Sequence, residues 1–240
     1  MKGSAESVEL GYFARPDRGG AAPGVVLIHD VWGVSDHTRD LALRLAAEGF
    51  GVLALDLYRR DPPAKIEDPG AFMRRLSDPQ AVSDIQAGVD FLAASPECRG
   101  RRVGVTGFCM GGMYALLAAC ACRDVSAAVV FYGLLSHAHG ILHDPNGLDP
   151  ARKPREPLQA LASLGCPLLC CYGDRDEFVP ASDLEALRAR LAGARFPAEL
   201  VVEPGCGHAY LNDTRPAAYR KEAAQRSWAR MLAFFRQHLA

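Results

Sequence analysis

Val103-Gly-Val-Thr-Gly-Phe-Cys-Met-Gly-Gly-Met113 is the stretch from which the rest of this 240-residue chain can be read. A short β-rich run enters a glycine-flanked turn with Cys109 at its centre, and an apolar segment follows through Tyr114 to Ala119. The pattern predicts a strand, a sharp turn and a buried helix. Glycines two positions either side of Cys109 suit a strained turn where backbone segments approach closely. Such a turn lifts one side chain above the sheet edge at a helix N-terminus, where partial positive charge favours thiolate over thiol. The plainer alternative is a glycine-rich turn carrying an ordinary buried cysteine.

Continuous apolar runs surround this element. Gly24-Val-Val-Leu-Ile28, Gly51-Val-Leu-Ala-Leu55, Ser126-Ala-Ala-Val-Val-Phe131 and Cys166-Pro-Leu-Leu-Cys-Cys-Tyr172 read as parallel strands buried on both faces, and Ala198 to Val202 as a last strand. Val8 to Ala14 alternates imperfectly and reads as an edge strand. Helices are expected from Asp36 to Glu48 behind the cap Ser35, from Ala81 to Ala94, from Ser182 to Leu191, and from Ala217 to Leu239. Alternating strands and helices of this length predict one three-layer α/β domain over residues 1–240, with a mostly parallel sheet. Positions 59–80 and 136–160 cannot be placed from sequence; the first is a candidate to cover a pocket mouth. Oligomeric state cannot be read from an amphipathic C-terminal helix.

Lysine and arginine (27) nearly balance aspartate and glutamate (28), so no global field steers the chain onto nucleic acid or an anionic membrane. A small-molecule partner is expected. No secretory signal or bilayer-spanning apolar run is visible, which makes the cytoplasm the expected compartment. The eight cysteines are not spaced like a disulfide scaffold and include no C-x-x-C pair, so most read as small core residues.

The unusual residues fall just after strands: His29-Asp-Val-Trp-Gly33, Asp56-Leu-Tyr58, Cys109, Gly173-Asp-Arg-Asp-Glu-Phe178 and Gly207-His-Ala-Tyr210. A thiol attacking an ester needs a base, an acid to orient the base, and N–H donors for the oxyanion. Cys109, then Asp174 or Asp176, then His208 gives the order nucleophile, acid, histidine, unlike the chymotrypsin and subtilisin orders.

These pieces, with Leu27-Ile-His-Asp-Val-Trp-Gly33, Gly107-Phe-Cys-Met-Gly-Gly112, Tyr172 to Pro180 and Gly207 to Pro216, span nearly the whole chain in order. The chain thereby resembles the dienelactone hydrolase family, cysteine-dependent α/β-hydrolases that open unsaturated lactones. The resemblance implies an α/β-hydrolase fold, Cys109 as nucleophile, His208 as base and later acid, and Asp176 as the residue fixing the imidazole tautomer, with Asp174 left as a turn residue. It also implies an oxyanion hole from the N–H groups of Met110 and Val31, and no cofactor or metal. Asp30 stands where family members commonly carry a glutamate that assists thiolate formation. Asn212 stands four residues after His208, where dienelactone-specific members are expected to place an arginine for the substrate carboxylate.

Trp32, Phe178 and Tyr210 adjoin these positions and are candidates to wall a pocket, although core packing explains each nearly as well. Arg59, Arg60, Arg74 and Arg75 are candidate carboxylate anchors or plain surface. His137, His139 and His143 invite a metal reading, but no acidic motif of zinc-enzyme spacing accompanies them. Cys206 is a candidate resolving thiol or a packing residue, and His29 a support for its loop. The expected function is hydrolysis of a lactone or activated ester through an acyl-thioester. The rivals are a carboxylesterase or thioesterase acting on open-chain acyl groups, and a non-catalytic ligand-binding or redox-sensing protein.

Overall fold

The computed structural model describes residues 4–16, 20–138 and 140–240. The chain opens with a hairpin of β1 (Ala5–Val8) and β2 (Gly11–Ala14) where the sequence reads as one edge strand. Gly11 explains the difference. Its φ is +147°, and a Cβ there would stand 2.1 Å from the Ala54 carbonyl oxygen, so the chain can double back against the next strand only at glycine.

The alternating pattern then unfolds as expected. It runs β3 (Gly24–Ile28), α1 (Asp36–Ala47), β4 (Gly51–Leu55), α2 (Pro69–Arg75), α3 (Asp78–Ala94), β5 (Val103–Phe108), α4 (Met110–Ala121) and β6 (Val125–Phe131). After a long connection come α5 (Pro157–Ala160), β7 (Leu168–Gly173), α6 (Ala181–Ala192), β8 (Ala198–Glu203) and α7 (Lys221–Leu239). Ser35 caps α1 by accepting the Thr38 N–H at 3.3 Å, a contact of the kind that contributes about 1 kcal/mol. α3 starts three residues earlier than its apolar spacing indicates, because Ser77 supplies a cap and Pro79 occupies the first turn. α7 starts later than expected: Arg220 donates its backbone N–H to Tyr210 instead of entering the helix.

The eight strands lie in the order β1-β2-β4-β3-β5-β6-β7-β8, antiparallel at the hairpin and parallel from β4 onward. β3, β4, β5 and β7 are buried along their whole length, as continuous apolar runs require. α1 and the C-terminal helix cover one face, joined by the Glu48–Arg236 ion pair and the edge contact of Phe50 with Phe235. α3, α4 and α6 cover the other. α4 is apolar all round and forms the centre of that layer.

From β3 the chain steps outward to β4, then returns to place β5 on the opposite side of β3. The crevice between β3 and β5 is therefore a topological switch point, where open α/β sheets bind ligands. Register fixes what faces it: Ile28 pairs with Gly107, so the residues two and three beyond Ile28 lie beside Cys109.

Two segments that sequence could not place now have positions. α2, capped by Asp68, brings Pro69 and Met73 to the crevice. The connection before α5 is anchored by Lys153, whose buried ammonium lies 2.5 Å from Asp78 at the start of α3 and 3.4 Å from the Tyr114 hydroxyl. Among the described residues no helix is long and apolar enough to cross a membrane, and all eight cysteines are free thiols.

Candidate active site

Cys109 sits between β5 and α4 with φ 57° and ψ −119°, a conformation costing a non-glycine residue about 1–3 kcal/mol. Its neighbours hold it there: the Cys109 N–H donates to Phe131, and its carbonyl accepts from Met113. A Cβ on Gly107 would stand 2.1 Å from the Gly111 oxygen, and one on Gly111 2.3 Å from the Ile28 oxygen, so the spacing around the cysteine reflects backbone contact. Tyr132 and Ala209 also have positive φ, and all three residues line one cavity.

That cavity, about 140 Å³, opens over the crevice between β3 and β5. His208 and Cys109 share it. Asp176, buried on the loop after β7, lies 2.9 Å (Oδ2) and 3.1 Å (Oδ1) from His208 Nδ1. Its Oδ1 also accepts the Phe178 N–H at 2.9 Å, which fixes the carboxylate. Tyr132 and Phe178 meet the imidazole edge-on from two sides. Nε2 is buried and has no hydrogen-bond partner among the described residues. Burial pushes the imidazole down. Opposing it, the charge of Cys109, the hydrogen bond to Asp176, the contact with Cys109 and the Asp176 charge carry His208 up to about 10.

Asp174 does different work, accepting the Gly205 N–H at 2.7 Å and so tying the loop after β7 to the loop after β8. Of the two aspartates, Asp176 is the one whose carboxylate is hydrogen-bonded to His208.

Asp30, Val31 and Trp32 line the opposite wall. Asp30 Oδ1 accepts the Trp32 N–H at 2.9 Å, which rounds the loop after β3. Among the described residues, no backbone carbonyl accepts the N–H of Val31 or Met110. Each is placed beside the crevice, Val31 by its loop and Met110 as the first residue of α4, where helix N–H groups have no internal partner. Apolar side chains of Leu41, Met73, Phe108, Leu134 and Ile141 supply much of the remaining wall, and Phe178 and Trp32 also line it.

Tyr210 does not. It is fully buried, shares a 2.7 Å hydrogen bond with Ser227 of α7, and packs on Tyr132 beneath the cavity. The reason is alternation: Ala209, not its neighbour, turns toward the opening. Arg59 and Arg60 are likewise drawn away, both to the buried carboxylate of Asp84. Arg74 donates to the Ile141 carbonyl at 2.8 Å, and Arg75 lies with it outside the cavity. Cys206 is a buried free thiol whose Sγ lies 3.7 Å from the Pro204 carbonyl oxygen of its own loop. Of the three histidines, His139 lies outside the described residues, His143 is exposed, and His137 is half-buried with Glu156 on its backbone. Among the described residues no group of three His, Cys, Asp or Glu side chains is arranged to hold a metal ion.

The structure adds two residues that sequence reading passed over, Arg215 and His37. Asn212 lines the cavity, and so does Arg215, seven residues after His208, with its guanidinium 5.7 Å from the ring centroid of the half-exposed Trp32. A cation on the loop after the last strand was the available signal, but the four-residue spacing drew attention to Asn212. His37, from the first turn of α1, completes this polar rim.

A model of the dienelactone hydrolase family matches residues 10–239. "Putative carboxymethylenebutenolidase" of Escherichia coli (strain K12) is 33% identical over 232 residues, covering 95% of this chain and 82% of that protein. "Probable 2-oxo-3-(5-oxofuran-2-ylidene)propanoate lactonase" of Bradyrhizobium sp is 31% identical over 233 residues, covering 96% and 90%. Among solved structures, the "Putative Dienelactone Hydrolase from Klebsiella pneumoniae subsp. pneumoniae MGH 78578" superposes with a TM-score of 0.85 at 33% identity, covering 98% of each chain.

Proposed function

The chain belongs to the dienelactone hydrolase family and is a hydrolase of the α/β-hydrolase fold, and on that premise we propose that it opens a small lactone through Cys109, His208 and Asp176. The observation that carries the reading is the imidazole of His208, bound to Asp176 on one side and raised by the charge of Cys109 on the other.

The proposed reaction starts from the pair with its proton on the imidazole, the form that the raised pKa of His208 favours. The Cys109 thiolate attacks the lactone carbonyl carbon, and the carbonyl electrons move onto oxygen, where the N–H groups of Val31 and Met110 receive them. Collapse breaks the ring C–O bond. His208 gives its proton to the departing oxygen, leaving an acyl-thioester and a neutral imidazole. Thioester formation removes the sulfur's charge, the foremost influence raising His208, while burial still pushes the ring down. The same imidazole therefore becomes a base for the second half. It takes a proton from water as the hydroxide adds to the thioester, and expulsion of thiolate restores the starting pair. The balance is one water across one ring C–O bond.

The apolar wall suits a planar ring, and the rim of His37, Asn212 and Arg215 suits a polar or anionic substituent. A lactone bearing a carboxylate combines these features, and the name of the Bradyrhizobium relative describes a lactone of that kind. Asp30 contributes by shaping the loop after β3, where its carboxylate accepts the Trp32 N–H. Steady-state kinetics of the parent and Cys109→Ala on carboxylated lactones, neutral lactones and linear esters test the reading. Loss of turnover in the variant and preference for carboxylated lactones are expected; equal rates in parent and variant would refute it.

A further inference from the structure

The peptide group that presents the Val31 N–H is held by the buried imidazole of His29. Its carbonyl, that of Asp30, lies 2.5 Å from His29 Nδ1 and also receives the Gly33 N–H at 3.3 Å. His29 Nε2 meanwhile accepts the Leu57 N–H at 3.2 Å. A nitrogen that accepts carries no proton, so the neutral imidazole must bear its hydrogen on Nδ1 and donate it to Asp30. Burial, which pushes the His29 pKa down, keeps the ring in that neutral form against the raising effect of Asp30 and Asp56.

The next peptide is held as well. Tyr58 donates its hydroxyl to the Val31 carbonyl at 3.0 Å, and the same oxygen lies 3.3 Å from the Met110 sulfur. The Tyr58 ring is wedged between His29 and Phe72 with edge contacts of 4.7 and 5.2 Å, and Asp56 fixes its backbone N–H at 2.8 Å. Across a planar trans peptide, C=O and N–H point in opposite directions. With the Asp30 carbonyl drawn down onto His29 and the Val31 carbonyl drawn onto Tyr58, the Val31 N–H is turned out toward the crevice. A carbonyl that accepts a hydrogen bond also polarises its own N–H, which strengthens that donor.

We infer that His29 and Tyr58 form a clamp whose task is to aim the Val31 N–H at the developing oxyanion; both are positioning residues, and neither touches substrate. The inference rests on the proposed thiol mechanism. Pre-aimed donors act in the transition state more than in the bound ground state, so loosening the clamp should lower kcat and leave KM.

The test compares Tyr58→Phe and two His29 variants. Asn retains a donor at the Nδ1 position, and Leu does not. Three readouts are taken: kcat and KM on one lactone, the inhibition constant of a trifluoromethyl ketone whose thiol adduct places an oxyanion in the hole, and that of the reaction product, which forms none. Tyr58→Phe should lose roughly 10- to 100-fold in kcat, bind the ketone more weakly by a similar factor, and keep KM and product binding. His29→Asn should fall between parent and His29→Leu. Unchanged ketone binding in Tyr58→Phe would overturn the clamp, as would parallel losses in ketone and product binding. If Tyr58→Phe does not fold, the His29→Asn and His29→Leu pair decides on the same readouts. Cys109→Ala run alongside separates the two levels: an active Cys109→Ala removes the mechanism itself, whereas an inactive one beside an unaltered Tyr58→Phe removes only the clamp.

Discussion

His208 Nδ1 stands 2.9 Å from Asp176 Oδ2, across 32 residues of chain, while Asp174, only two residues away from that carboxylate, faces the Gly205 N–H instead. The two aspartates are thus separated in role by geometry. Asp176→Asn replaces an oxygen facing Nδ1 with an amide that cannot hold the required tautomer, and kcat/KM should fall roughly 10²- to 10⁴-fold. Asp174→Asn should retain near-parent turnover and lose about 1 kcal/mol of stability through the weakened contact between the two loops. Initial-rate kinetics and urea unfolding of both variants check this pair of expectations.

The proton on His208 sets the alkaline limit of the reaction. Its folded pKa is raised from 6.5 to about 10, so the imidazolium is the dominant form below that value and is lost as pH rises through it. Opening a lactone with a poorly leaving alkoxide needs that proton, and kcat/KM should decline above about pH 10. A p-nitrophenyl ester, whose leaving group departs without assistance, should show no such decline. Asp176→Glu, which preserves charge but alters the hydrogen bond, should move the limit to lower pH. Matched pH–rate profiles on the two substrates measure the effect.

Much of this was legible in the chain. Cys109 announced itself through Gly107 and Gly111, because a backbone contact near 2 Å leaves no room for any other residue type. Strand runs such as Gly24–Ile28 were plain because burial on both faces leaves no polar position. Tyr210 misled because an aromatic beside a site residue serves a core or a pocket equally well, and only the partner Ser227 on α7 distinguishes them. Arg59 and Arg60 misled for a related reason: Asp84, which claims both, lies 25 and 24 residues further along and carries no local signal. The clamp residue Tyr58 was visible only as part of a motif, since its work depends on a hydroxyl reaching a carbonyl 27 residues earlier.

Arg215 carries the expectation about substrate charge. It lies at the cavity rim beside Trp32, exposed to solvent and free to meet a carboxylate entering the mouth. Arg215→Ala should raise KM for a carboxylated lactone roughly 5- to 10-fold while leaving kcat close to parent, and should leave a neutral lactone unaffected. Arg215→Lys should recover part of the loss, since a point charge replaces a planar fork. Comparison of KM across the two lactones decides it, and added salt should weaken the parent's preference.

The buried Lys153–Asp78 pair makes a prediction about stability alone. Lys153→Met strands a buried carboxylate and should destabilise the protein by about 3–5 kcal/mol. Lys153→Met combined with Asp78→Leu removes both charges and should recover most of that loss. Chemical unfolding of the single and double variants measures the difference. Recovery in the double variant would show that the ion pair adds little net stability over a packed apolar pair.

The central claim is that the Cys109 sulfur becomes covalently acylated. Rapid-quench intact mass spectrometry during turnover of p-nitrophenyl acetate, followed by peptide mapping, reads it directly. The account predicts one acetyl group per chain, located on the peptide containing Cys109 and absent from Cys109→Ala, with the adduct persisting longer in His208→Ala. An acetyl group found on another residue, together with a Cys109→Ala variant that turns over as fast as the parent, would contradict it.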